Sequence, residues 1–203
     1  MSGGMVDFSA HGRCIEWSVA TRAKVDGFNG DGYLLNRDER RLFAYVVDGI
    51  GSGREAQAAA AATVDELRGN DFSSMEQRFN AVHQSLKGRR GAALGAAEID
   101  LTSGALNWSA VGDIDGLIIR RDTSTESMVQ KGGTLGLGFS GLHVMSTGVA
   151  LGDMIVMTSD GVSRRFRDDL PQTRDVHVFA SSVLEAYGRP NDDCIVLAMK
   201  VSD

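Results

Sequence analysis

The sequence predicts an α+β domain in which antiparallel strands and helices occupy separate layers. Three observations lead there. Apolar runs rich in β-branched residues recur at short intervals, the helical patterns stand in blocks between groups of strands, and 25 glycines against two prolines supply tight turns. A parallel βαβ fold would instead alternate strand and helix throughout.

Strands are expected at residues 15–22, 42–47, 93–99, 105–111, 117–120, 143–147, 154–158 and 194–201. Asp100-Leu101-Thr102-Ser103-Gly104 reads as the turn of a hairpin, so the central stretch reads as an antiparallel meander. The first helix, residues 54–68, opens on Ser52-Gly53-Arg54-Glu55, which has the form of a capping box, and five successive alanines let it pack close to a sheet. The second, residues 75–87, puts Met75, Phe79, Val82 and Leu86 on one face. The third, residues 172–187, aligns Val176, Ala180, Val183, Leu184 and Tyr187, with Pro171 suiting its first turn and Gly188 with Pro190 its stop.

A chain of 203 residues can bury enough surface for one core without disulfide or metal staples. Its net charge of −6 argues against nucleic acid or an anionic membrane as the main partner. Cys14 and Cys194 lack zinc-site spacing and are expected to be reduced and buried. Met1-Ser2-Gly3-Gly4-Met5-Val6-Asp7 has no basic head before an apolar run, and no apolar stretch approaches ~20 residues, so a cytoplasmic location is expected.

Five Asp-Gly dipeptides occur, at Asp26, Asp31, Asp48, Asp115 and Asp160. Asp-Gly is a favoured turn pair, and Asp26 and Asp115 are read as turns. Asp48 and Asp160 fit that reading poorly. Each ends a strongly apolar strand, and the chain then enters a glycine loop and helix after Asp48 and a polar segment after Asp160. A carboxylate at the end of a buried strand must be paired, hydrogen-bonded or bound to a cation. Asp192-Asp193 precedes the last strand, where an exposed turn is an equal reading, and Asp31 precedes Tyr33-Leu34-Leu35. Such acids could converge into an oxygen-only cage suited to magnesium or manganese, and the four histidines show no paired metal spacing. Gly49-Ile50-Gly51-Ser52-Gly53 could cradle a nucleotide phosphate, but it fits neither G-x-G-x-x-G nor a P-loop.

Val46-Val47-Asp48-Gly49-Ile50-Gly51-Ser52-Gly53 followed by an alanine-rich helix resembles the metal-binding motif of the type 2C (PPM) metal-dependent protein serine/threonine phosphatases. It is most similar to the bacterial branch that includes the sporulation stage II E phosphatase. Gly30-Asp31, Gly91-Ala92-Ala93, Val111-Gly112-Asp113, Gly133-Thr134-Leu135-Gly136, Thr158-Ser159-Asp160-Gly161 and Asn191-Asp192-Asp193 fall in the family's order, from Gly30 to Val201. The short length and Lys87-Gly88-Arg89-Arg90-Gly91-Ala92-Ala93 look like the stand-alone feedback phosphatases of the bacterial stressosome.

The resemblance implies one phosphatase domain over residues 1–203, a four-layer α-β-β-α sandwich of two antiparallel sheets flanked by helices. It implies two divalent cations, Mn2+ or Mg2+, bridged by Asp48, with the Gly49 carbonyl on one of them and Asp31, Asp160 and Asp192 completing the second. Asp193 is then a neighbour, Asp48 and Asp160 are the catalytic acids, and Asp113 resembles an acid that holds a looser third metal. The implied partner of this expected monomer is a phosphorylated STAS-domain scaffold or anti-anti-sigma protein of a stress-response pathway. Two departures stand out. Ile50 replaces a histidine found in many eukaryotic members, and the phosphate-gripping arginine has no clear counterpart, Arg22 and Lys24 being candidates by neighbourhood alone. The competing reading is a catalytically weak regulatory module of the same fold; a small-molecule phosphatase is a third.

Overall fold

A computed structural model describes residues 2–8, 13–24 and 27–202. The chain runs through β1 (Ser2–Phe8), β2 (Arg13–Arg22), β3 (Asp31–Arg37), β4 (Arg41–Gly49), α1 (Arg54–Gly69), α2 (Met75–Ser85), β5 (Ala92–Asp100), β6 (Ala105–Val111), β7 (Asp115–Ile119), β8 (Thr125–Met128), β9 (Met145–Gly148), β10 (Met154–Thr158), a 3-10 turn (Arg164–Arg167), α3 (Val176–Tyr187) and β11 (Cys194–Ser202). The strands form two wholly antiparallel sheets, β1-β2-β11-β10-β7-β8 and β3-β4-β5-β6-β9.

Alternation along the strands explains why the apolar runs are continuous. In β4, Leu42, Ala44 and Val46 face the space between the sheets, where they meet Ile15, Val19, Trp108, Ile155 and Leu197. Phe43, Tyr45 and Val47 point the other way, onto Phe79 and Val82 of α2 and Ala59 and Ala60 of α1. In β11, Ile195, Leu197 and Met199 face inward while Cys194, Val196 and Ala198 pack under Phe179 and Val183 of α3. A strand buried on both faces loses its polar alternation, as these have. Three stacked cores between four layers give the expected α-β-β-α sandwich.

The structure corrects several local expectations. Helix α1 begins at Arg54 as expected, but no capping box forms. Its N-cap is Gly53 at φ 74° with no side-chain capping bond, and Glu55 instead pairs with Arg90 at 2.6 Å. Helix α3 starts at Val176, not near Pro171, because the Asp175 carboxylate accepts from the His177 and Val178 N–H groups and caps it there. Gly188 does close it.

Strands β1, β3 and β8 are additional to those expected. Asp115-Gly116 is not a turn: Asp115 starts β7, is buried, and pairs with Thr158 of β10. Its charge is met by Arg167 at 2.5 Å and Arg164 at 3.5 Å, residues far along the chain. The Asp100–Gly104 hairpin forms as expected, with the Asp100 carboxylate accepting from the Thr102 and Ser103 N–H groups. The Asp26 turn lies outside the described residues. Both cysteines are free and buried.

Candidate functional site

The antiparallel pairing of β3 with β4 places Asp31 directly opposite Asp48, at one end of the second sheet. The chain then turns sharply, with Gly49 N–H donating to Gly30 O at 2.9 Å and Ile50 N–H to Gly91 O at 2.9 Å. A Cβ on Gly49 would run into the Ala56 carbonyl, so only glycine lets the first turn of α1 lie this close to the end of β4. From the other sheet, Asp160 follows β10 and the Asp192-Asp193 pair precedes β11. Gly161 passes so close beneath the Asp193 carbonyl that a Cβ there would overlap it. Glycine at 49 and at 161 thus lets each loop fold tightly on its own sheet, and the two sheets approach at Gly30, whose missing Cβ faces the Asp193 carboxylate.

The carboxylates crowd one another. Asp31 is 9% exposed; its Oδ2 accepts from Ser159 Oγ at 2.6 Å, and its Oδ1 is buried without a hydrogen-bond partner. Burial pushes the Asp31 carboxyl up to about 7, and Asp193, Asp160 and Asp192 add to the rise against the Ser159 hydrogen bond. Asp48 is raised to about 9, by burial first and then by the charges of Asp31 and Asp160. Asp160, exposed at the mouth, is also raised, by partial burial and then by Asp192. Asp193 is 5% exposed; its Oδ1 accepts from the Lys24 N–H at 2.7 Å, and its buried Oδ2 has no partner.

Asp31, Asp48 and Asp160 are therefore brought together, with Asp192 close enough to raise all three. Among the described residues, no three His, Cys, Asp or Glu side chains already stand in the closed arrangement of an ion cage. The site holds instead an oxygen-only group of mutually repelling acids, two of which bury an oxygen with no donor. Such a donor set suits a hard cation, which would supply the missing positive charge.

Beside Asp160 opens a cleft of about 440 Å³ lined by Asp113, Asp115, Ser159, Asp160, Val162, Ser163, Arg164, Arg165 and Arg189. Asp113 is exposed at its rim and accepts from Gln130 Nε2 at 3.3 Å. The two basic candidates of the sequence lie beside this group of acids. The Arg22 guanidinium donates to Arg189 O at 2.9 Å and reaches Cys194 Sγ at 3.6 Å, and Lys24 contributes its backbone N–H to Asp193. The sequence reading missed Ser159, whose hydroxyl also accepts from the Ile195 N–H at 3.2 Å. It also missed the arginines of the cleft, although Arg164-Arg165-Phe166-Arg167 directly follows the Asp160 segment.

Phosphoserine phosphatase RsbX of Bacillus subtilis (strain 168) is 27% identical to this chain over 85 residues, which are 42% of this chain and 43% of that protein. The match thus spans less than half of that relative. Among solved structures, a chain described within the bacterial stressosome, a modular system adapted to control secondary messenger signalling, superposes with a TM-score of 0.82 at 26% identity, over 92% of this chain and 99% of that one. RsbX in complex with magnesium gives 0.85 at 19% identity over 99% and 100%. The PP2C phosphatase domain of SpoIIE from Bacillus subtilis gives 0.78 at 22% identity over 93% and 64%. The last two likenesses concern the fold. Residues 38–202 match the model for stage II sporulation protein E (SpoIIE), and on that match the chain belongs to this family.

Proposed function

We propose that this domain is a metal-dependent phosphatase that hydrolyses phosphoserine or phosphothreonine on STAS-type scaffold or anti-anti-sigma proteins, resetting a stressosome-type pathway. One observation carries the chemistry: Asp31, Asp48 and Asp160 converge from two sheets into a pocket whose acids repel one another and leave Asp31 Oδ1 unpartnered. The substrate class rests on likeness to a phosphoserine phosphatase and to a stressosome chain.

Asp31, Asp48, Asp160, Asp192 and the Gly49 carbonyl would hold two magnesium or manganese ions. Asp48, which lies opposite Asp31 in the ladder and feels the charge of Asp160, would be central among these ligands. Bound cations of this kind offset the charge of a phosphate monoester and lower the pKa of a coordinated water toward neutrality. The protein's own part is to keep the acids fixed. Ser159 holds Asp31 by one oxygen, and the two close-packed glycines hold the loops that carry Asp48 and Asp160. Ile50, 38% exposed beside the site, has no ionisable group and cannot hand a proton to the leaving oxygen.

The test is incubation of the purified protein and manganese with phosphorylated STAS-domain proteins, followed by intact mass. Loss of one phosphate mass that depends on the metal is expected. An unchanged mass on every such protein, with an aryl phosphate also untouched, leaves only the binding-module reading.

A further inference from the structure

We infer that Arg165 and Arg189 form the subsite that grips the phosphoryl oxygens of the substrate, an inference that rests on the phosphatase reading above. They line the cleft that Asp160 borders, and both are exposed. Five arginines gather around this end of the molecule, and three are already engaged. Arg164 and Arg167 both meet Asp115, Arg164 also donates to Gln130 at 3.1 Å, and Arg22 is held by the Arg189 carbonyl. The guanidinium groups of Arg165 and Arg189 make no ion pair or hydrogen bond among the described residues.

Each free guanidinium sits on a fixed backbone. Arg165 lies in the 3-10 turn between the two arginines clamped to Asp115, with Phe166 buried behind it and Ser163 capping the turn. The Arg189 N–H donates to Gly161 O at 2.8 Å, and its carbonyl accepts from Arg22 and from the Asp192 N–H. Gly161 directly follows Asp160, so Arg189 is tied to the same loop as that carboxylate, and its charge acts on Asp160.

A cleft lined by Asp113, Asp115 and Asp160 alone would repel a dianion. Two planar guanidinium groups, each a fixed fork of N–H donors, match the equatorial oxygens of a phosphoryl group. The same pair could instead take acidic side chains flanking the phosphoserine, and the experiment separates the two sources of anion.

Arg165→Ala, Arg189→Ala and the double variant are assayed with manganese on an aryl phosphate and on a phosphorylated STAS-domain protein. In parallel, orthophosphate is titrated calorimetrically into each manganese-loaded protein. Each single variant is expected to raise KM on both substrates, and the orthophosphate Kd, by about tenfold, with Arg→Lys recovering part of the loss. A KM change confined to the phosphoprotein, with orthophosphate binding unaltered, assigns the arginines to flanking acids and overturns the inference. Unaltered constants throughout overturn it as well. A wild type that binds orthophosphate through these arginines yet turns over neither substrate would refute the phosphatase reading and not the subsite.

Discussion

Asp31 and Asp48 are cross-strand partners at the end of the β3–β4 ladder, so two acids that would both be charged in water are forced side by side. Burial raises both, Asp31 to about 7 and Asp48 to about 9, and each neighbouring charge adds to the rise. A folded-state pKa above the unfolded value means that the native state holds more protons. The associated stability is fully present below about pH 4 and is lost as pH rises through 7 and then 9. The slope is about 1.4 kcal/mol per pH unit for each extra proton. Groups lowered by hydrogen bonds, such as Glu16, Asp38, Asp100 and Asp175, give the opposite slope only near and below their ordinary values, from about pH 5 downward. In EDTA the melting temperature should therefore fall between pH 5.5 and 8 (roughly the window between these two sets of groups). Saturating manganese should flatten the fall. A metal-free melting temperature that climbs across this window would contradict the electrostatic account of the site.

Neutralising either central acid separates its chemical role from its structural one. Asp160→Asn removes a charge from a repelling group, and Asp48→Asn keeps neutral a carboxyl that burial and its neighbours already push toward its protonated form, so in EDTA both variants should melt at or above the wild-type temperature. Activity with saturating manganese should nevertheless fall by about 100-fold or more, on the scale of lost metal-centred charge stabilisation. Turnover near wild type in either variant would remove that residue from the proposed catalytic pair.

Ser159 joins the two sheets by a hydroxyl that donates to Asp31 Oδ2 and accepts from the Ile195 N–H. Ser159→Ala leaves both buried groups without that partner, at a cost of about 1–3 kcal/mol. It should also release the Asp31 carboxylate from its hydrogen bond to Ser159. The manganese concentration for half-maximal activity should rise several-fold, with the maximal rate less affected. A melting curve and a metal titration read the two effects independently.

Much of the architecture was legible because it follows from alternation. The strands around Val46, Val156 and Val196 are buried on both faces and show as apolar runs whatever packs on them. Asp48 and Asp160 stood out because each carboxylate terminates such a run. The features that stayed hidden depend on partners distant in the chain. The Asp115-Gly116 pair looks like a turn because Arg164 and Arg167, which make its burial tolerable, lie some fifty residues later. Strand β8 is a short polar edge, Thr-Glu-Ser-Met, with no periodic signal until β7 is beside it. The capping box does not form because Gly53, which has no side chain to accept a hydrogen bond, and not Ser52, stands at the N-cap, and Glu55 turns to Arg90.

Glycine substitutions should divide sharply by location. Gly161→Ala would place a methyl group into the Asp193 carbonyl, and Gly49→Ala into that of Ala56. Backbone cannot move aside as a flexible side chain can, so a loss of more than about 4 kcal/mol, or failure to accumulate as soluble protein, is expected. Gly69→Ala, at the end of α1 with open space around it, should instead stabilise by about 0.4–1 kcal/mol through the unfolded chain. Parallel expression and thermal melts of the three variants decide this, and a soluble Gly161→Ala protein melting like wild type would mean that the two loops are not held in contact.

The adjacent acids Asp192 and Asp193 should behave differently although they are chemically alike. Asp193 is buried and secures the approach to β3 by accepting from the Lys24 N–H, while Asp192 is half-buried, accepts from the Asp193 N–H at 3.1 Å, and acts on both Asp48 and Asp160. Asp193→Ala removes a hydrogen bond to backbone and leaves a small cavity against Gly30, whose missing Cβ faces the Asp193 carboxylate. The cost should be about 1–3 kcal/mol, or roughly 2–4 °C in Tm per kcal/mol for a domain of this size. Part of that loss is returned in EDTA, because Asp193 also repels Asp31. Asp192→Ala should leave Tm in EDTA unchanged or slightly raised, and appear instead as a several-fold higher manganese requirement. If the two phenotypes were exchanged, with Asp193→Ala weakening the metal and Asp192→Ala unfolding the protein, the ligand on this loop would be Asp193 and its unpartnered Oδ2 the donor.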